Sequence, residues 1–316
     1  MRPAAKQKVT RIAQRGVECA TQQVNVEFGA SFSPQEFCMS MYRLSFSVLL
    51  VIATALPACI IGERGSGVYA EQQRDVQTFS RVELPGGGID RVEIVVCDCT
   101  AIRVSGDDNL IDLVTTKVSG ETLTIDTLDP VWTKEPLVVE VRTPMLELVR
   151  ASGSTNVSII DLRGGDLTVD TSGSGDVDFM GRLDRLRFET SGSSDIDVSR
   201  LETDVLEIDT SGSTDVVVDE MVSESIWIHT SGSSDIHLTG ETKTLEIETS
   251  GSSDVHARDM KAQDVTISTS GSSDIDTCVT GVLDVSTSGS GDVTYYCDPT
   301  KVNASTSGSG DIRQGR

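Results

Sequence analysis

Aromatic residues are scarce: they are 4% of a 316-residue chain that is 37% apolar overall. The apolar share is enough for a core, but its bulk is not in rings. That argues against an ordinary compact globule and for thin layers of small β-branched side chains. Basic residues are also few, 26 Lys and Arg against 49 Asp and Glu, a net charge of −23. Such a surface repels a phosphodiester backbone, which excludes duplex DNA and RNA as partners. No stretch carries the 3.6-residue apolar period of a surface helix. The glycine run Gly86-Gly87-Gly88 has no Lys-Ser/Thr after it, so it reads as a turn and not a phosphate loop.

Long apolar runs are missing too, with one partial exception. From Met41 the chain reads MYRLSFSVLLVIATALPAC. Arg43 gives a short positive start, and Leu44 to Leu56 is too short for a comfortable membrane span. Leu56-Pro57-Ala58-Cys59 then has the form of a lipobox, where the leader is cleaved and Cys59 acylated; an ordinary signal peptide cut nearby is the alternative. Residues 1–40 precede this leader without any sustained period, and read as an extension upstream of a start at Met39 or Met41. Residues 41–58 are the leader, and 59–77 the anchor and a tether. The expected site is the bacterial cell envelope, on its periplasmic or outer face. Processing at Cys59 removes six basic and three acidic residues, leaving 26 − 6 = 20 basic and 49 − 3 = 46 acidic ones, a net of −26.

What the chain has in abundance is one phrase, T-S-G-S-[GST]-D-[VI]. Its first glycines are Gly153, Gly173, Gly192, Gly212, Gly232, Gly251, Gly271, Gly289 and Gly308, spaced 18–20 residues apart. Nine copies at a near-constant period mark a solenoid. Between phrases, segments such as LEIDT and DIDV alternate apolar and polar residues, the period of a strand with one buried face. The fold class expected is all-β: a single-stranded parallel β-helix of about 19–20 residues per rung and roughly twelve rungs. Val177, Ile196, Val216, Ile236, Val255, Ile275, Val293 and Ile312 should form one internal column, at about 4.8 Å per rung. Glycine in the turn reads as a residue needed for positive φ. Residues 78–150 alternate less regularly and are expected to be diverged first rungs and a cap; 151–316 are the regular repeats.

The lipobox, the opening TFSRVELPGGGIDRVEI, the VSGDDNLIDLV stretch and the serial TSGSGD turns together resemble the "putative auto-transporter adhesin, head GIN domain" family. The resemblance covers roughly residues 75–316. It implies an exported bacterial β-helical domain, and it brings no catalytic residues with it.

Four sets of residues are candidates for chemistry. Asp176, Asp195, Asp215, Asp235, Asp254, Asp274, Asp292 and Asp311 share one repeat position. Stacked at about 4.8 Å they repel by roughly 1 kcal/mol per neighbour even in water. Either each carboxylate caps its own turn, or calcium bridges them; known calcium repeats use two Gly-rich turns per coil, and here there is one. His237 and His256 lie two residues after the ladder Asp, with Asp276 following in that column and His229 on the preceding strand. They are either solvated imidazoles or a zinc site. Trp227 should point outward from IWIH, as a surface ring or a platform for a sugar or a partner. Cys278 and Cys297, one rung apart, should stack as a disulfide in an oxidising compartment. Cys97 and Cys99 are a second candidate disulfide; they share a face of a strand, where a spacing near 6.6 Å would strain the bridge.

The reading that follows is a lipid-anchored envelope rod with a structural, adhesive or ligand-presenting role, meeting glycans or proteins of the envelope, without catalytic activity and without a required cofactor. A polysaccharide-active β-helix enzyme and a calcium-stabilised surface repeat are the alternatives. The carboxylates follow the repeat, and no acid–base pair stands apart from it.

Overall fold

The computed structural model describes residues 62–316; the leader, the residues upstream of it and Cys59 lie outside them. The described chain is a β-solenoid of parallel stacked strands. In its regular part each rung is nearly one continuous strand: Asp195–Thr210, Asp215–Thr230, Asp235–Thr249 and Asp254–Thr269 follow one another, joined by the Ser-Gly-Ser turns. Register slips within the ladder, as between Val218 and Met221, bend the strand around the core.

Two inward columns hold the rod together. The first runs Val139, Val92, Val157, Val177, Ile196, Val216, Ile236, Val255, Ile275, Val293, Ile312. The second runs Leu123, Val82, Val149, Val169, Phe188, Ile208, Ile228, Ile247, Ile267, Val285. Alternation within each strand sends these residues inward, and their β-branched shape suits the pleat. The interior is less hostile to rings than composition suggests, since Phe179 and Phe188 are fully buried and meet edge to face at 6.1 Å.

The glycine column has a different cause from the one expected. Among its nine members, only Gly153 has positive φ. At Gly173, Gly192, Gly212, Gly232, Gly251, Gly271, Gly289 and Gly308 an added Cβ would fall inside the preceding glycine's carbonyl oxygen. The turns pass over one another too closely for any side chain.

The early strands do not succeed one another as rungs. Arg81–Leu84 and Arg91–Val96 form one layer, and the repeats build upward from it through Leu148–Gly153 and Asn156–Arg163. Thr122–Thr127 and Val138–Thr143 pair in parallel on the other side of the same layer. Later sequence therefore lies beneath earlier sequence. Antiparallel strands then close that end: Ala101–Asp107 against Val138–Thr143, Tyr69–Arg74 against Ala101–Asp107, and Val114–Ser119 against Thr122–Thr127. The solenoid makes about 8 turns, fewer than the twelve successive rungs expected, because this first third is interleaved and antiparallel.

The glycine column yields a sharp contrast. Gly212→Ala is expected to lower Tm by more than about 10 °C or to prevent folding, since backbone cannot give way as a side chain can. Gly87→Ala meets nothing within 4 Å and should shift Tm by less than about 2 °C. Thermal melts followed by circular dichroism measure both, and a tolerated Gly212→Ala would remove the close-approach explanation.

Candidate functional site

The corner of the rod at the TSGS phrase is polar inside and acidic outside. Thr190, Thr210, Thr230, Thr249 and Thr269 stack in a buried column, and Ser194, Thr214, Ser234, Ser253 and Ser273 in another. The two columns bond to each other across rungs, the Thr230 and Ser253 hydroxyls being 2.7 Å apart, and within the second column Ser253 Oγ accepts the Ser234 N–H at 3.1 Å. The Thr249 and Thr269 hydroxyls are buried without a partner.

Outside the corner stands the aspartate ladder. Four of its eight carboxylates, those of Asp176, Asp254, Asp274 and Asp292, accept an N–H of the neighbouring rung and not of their own turn, which corrects the expected capping geometry. Asp176 Oδ1 accepts the Asp195 N–H at 3.2 Å, Asp274 Oδ1 the Asp292 N–H at 2.8 Å, and Asp292 Oδ1 the Asp311 N–H at 2.9 Å. Asp254 Oδ1 likewise accepts the Asp274 N–H at 3.0 Å, while the Asp254 N–H donates to the Ser234 carbonyl at 3.0 Å. Asn156, standing where the first repeat lacks Asp, does the same work: its Oδ1 accepts the Asp176 N–H at 3.0 Å. Among the described residues no group of three or more His, Cys, Asp or Glu side chains is arranged to hold a metal ion.

The ladder is electrostatically uneven. Partial burial, then Asp176 and Asp215 on either side, push the Asp195 carboxyl above its usual range. The Asp311 N–H holds Asp292 below that range against some desolvation, with Arg313 helping at 3.0 Å.

His237 and His256 are in register and stack at 4.7 Å, with Asp276 next in the column. His229 lies elsewhere, in the column Asp209–His229–Glu248, and its Nδ1 is 3.3 Å from Glu248. The three histidines are not brought together.

Trp227 is outward and 37% exposed. It sits in the column Arg187, Glu207, Trp227, Glu246. The indole walls an open depression of about 270 Å³ with Arg187, Glu207, Asp209, His229, Glu246 and Glu248. A larger depression of about 650 Å³ shares Asp209 and continues along the same face past Glu189, Asp170 and Arg150. Here the repeat is broken: Arg187 bonds Glu189 at 2.5 Å and Glu207 at 3.0 Å, and Arg185 also pairs with Glu207. Asp209 and Glu246 make no hydrogen bond or ion pair among the described residues.

The cysteines lie in two pairs. Cys278 and Cys297 have Cα atoms 5.2 Å apart and their sulfurs bonded. They do not stack in register as expected: Tyr296 pairs with Cys278, and Cys297, one residue on, takes φ 61° to turn back. Cys97 and Cys99 are also bonded, with Cα atoms 5.3 Å apart. They are not on a strand. Arg91–Val96 ends before them, and the Cys99 N–H donates to the Cys97 carbonyl at 2.6 Å, a tight turn that shortens the spacing.

Asp107 carries a structural role that its sequence position does not announce. It is fully buried at the closed end. It accepts the N–H groups of Gly67 at 2.5 Å, Lys134 at 2.8 Å and Glu135 at 3.1 Å. Burial works against its charge, but these donors hold its carboxyl below the usual range. The one signal for it is the Gly106-Asp107 step in VSGDDNLIDLV.

A family model described as "Putative auto-transporter adhesin, head GIN domain" matches residues 78–200 and again 186–299. No curated protein matches the chain. Among solved structures, a putative adhesin from Parabacteroides merdae is 18% identical with a TM-score of 0.63, over 81% of this chain and 100% of its own. A putative lipid binding protein from Parabacteroides distasonis is 20% identical with a TM-score of 0.61, over 80% of this chain and 99% of its own. At these identities the likeness is one of fold.

The ladder's unevenness can be measured. A raised carboxyl pKa means the folded state is penalised while the group is ionised, and relieved as pH falls through the folded value. Asp195→Asn should therefore raise Tm by about 1–2 °C at pH 7, an advantage lost in acid. Asp292 is the opposite case: its lowered pKa contributes stability at neutral pH that is lost as pH falls through the folded value, so Asp292→Asn should lower Tm at pH 7. Equal shifts in both variants would contradict the assignment.

Proposed function

Because the chain belongs to the putative auto-transporter adhesin, head GIN domain family, we propose that it is an exported, non-catalytic adhesive rod, tethered to the bacterial envelope through a lipid on Cys59. The observation that carries the adhesive part is the outward sheet face around Trp227. A stiff column of stacked rungs presents it, and it is where the repeat gives way to an exposed ring and unpaired charge. Proteins of this build offer extended surfaces because each rung is fixed by its neighbours. The sequence Leu56-Pro57-Ala58-Cys59 after an apolar leader supports the anchor. Envelope proteins or glycans are the partner classes.

The catalytic alternative lacks support in the side chains. Four ladder carboxylates, Asp176, Asp254, Asp274 and Asp292, are engaged by backbone N–H groups of adjacent rungs, and a hydrolase needs an acid and a base poised across a bond. A lipid-binding role, suggested by the description of the Parabacteroides distasonis neighbour, would favour an enclosed apolar slot; the two depressions of this face are open, and charged side chains such as Glu189, Asp209 and Glu246 stand among their walls.

Cys59→Ala is expected to move the protein from the membrane fraction to the soluble fraction and to abolish incorporation of labelled palmitate. Unchanged partition would overturn the anchor. Beads coated with the mature rod should adhere to envelope material above an albumin-coated control; no excess adhesion would overturn the adhesive reading.

A further inference from the structure

The face around Trp227 also indicates the chemistry of what it holds. Glu207 is occupied by Arg185 and Arg187, and Glu248 faces His229 at 3.3 Å. That leaves Asp209 and Glu246 uncompensated on either side of the indole. Asp209 is paired in register with His229 on the tryptophan's own strand, and Glu246 is paired with Trp227 itself. Neighbouring rungs are about 4.8 Å apart, which puts Glu246 directly beside Trp227; Asp209, one rung away on the other side and two residues along, lines the same depression. The depression they share is about 270 Å³ and open to solvent.

From this geometry we infer that the depression takes a cationic side chain, lysine or arginine, from a protein partner. The charged head lies between Asp209 and Glu246, and the aliphatic stem or guanidinium plane lies on the Trp227 ring. The inference rests on the adhesive reading of this face and names its ligand class.

Charge complementarity selects this occupant. An aromatic face attracts cations through its quadrupole, and two unpaired carboxylates add to that attraction. An anionic glycan would meet like charge. A neutral sugar could stack on the ring, but it would cover two carboxylates without offering a counter-charge. A lysine or arginine satisfies ring and carboxylates together, and arginine's planar fork does so best.

The test must separate this site from the general attraction of an acidic rod for any cation. The chain has two tryptophans, Trp132 and Trp227, so Trp132→Phe leaves Trp227 as the sole fluorophore. Titrating this protein with an arginine–glycine peptide should change its emission saturably, while a serine–glycine peptide should not. By calorimetry, Trp227→Ala should weaken binding about tenfold although it removes no charge. The Asp209→Asn, Glu246→Gln pair should weaken it at least as much, and Asp274→Asn, on the ladder, should leave it unchanged. Full affinity in Trp227→Ala would reduce the interaction to bulk electrostatics and overturn the inference. A neutral β-linked glucan oligosaccharide that saturates the signal where the peptide fails would also overturn it, while leaving the adhesive reading intact. Loss of bead adhesion with peptide binding retained would strike the adhesive reading alone.

Discussion

Each turn of this rod passes over the one before it at a separation that admits no Cβ. The eight glycines from Gly173 to Gly308 are therefore obligatory for contact and not for dihedral freedom. Once the turns are in contact, the ladder hydrogen bonds on either side continue through the corner, as from Ser193 N–H to the Gly173 carbonyl at 2.9 Å and from Ser213 N–H to Gly192 at 3.1 Å. A rung that cannot close at its corner cannot keep register in its strands, and a register slip of one residue would turn the valine and isoleucine columns outward.

Close stacking imposes a charge problem, because every repeat carries an aspartate at the same place. Caps within a turn would leave the carboxylates as independent like charges. Caps between rungs make Asp176, Asp254, Asp274 and Asp292 part of the stacking interaction, so repulsion and hydrogen bonding act along the same axis. The balance varies locally. Asp195 accepts no N–H and has acidic neighbours on both sides, whereas Asp292 has an N–H and a guanidinium.

Much of this was legible in the sequence because the repeat reports the same geometry nine times. Alternation gave the inward set, and the period near 20 residues aligned Val177 through Ile312 into the column that the strand pairing reproduces. What could not be read was whatever depends on a single long-range placement. Nothing in Thr122–Thr127 or Val138–Thr143 says that they lie beneath Arg81–Val96 instead of above it. Asp107 gains its role from N–H groups some 27 to 40 residues away in the chain. Cys97 and Cys99 looked like strand residues because the alternation of RVEIVV runs into them; the strand stops one residue short.

The Trp227 face follows from both lessons. Its columns are periodic, so the position of each outward residue is fixed as firmly as that of the core beneath it; Ile226 and Ile228, the inward neighbours of the tryptophan, are buried to 0% and 2% exposure. Its identity is aperiodic: the same column carries Arg187, Glu207, Trp227, Glu246 and Thr266 on successive rungs. A solenoid can therefore change the chemistry of one outward position without disturbing its fold, because inward and outward residues answer to different constraints. Recognition in such a rod is best sought where the outward columns depart from the repeat, and less in the ladder, where Asp176, Asp254, Asp274 and Asp292 are engaged in holding one rung to the next.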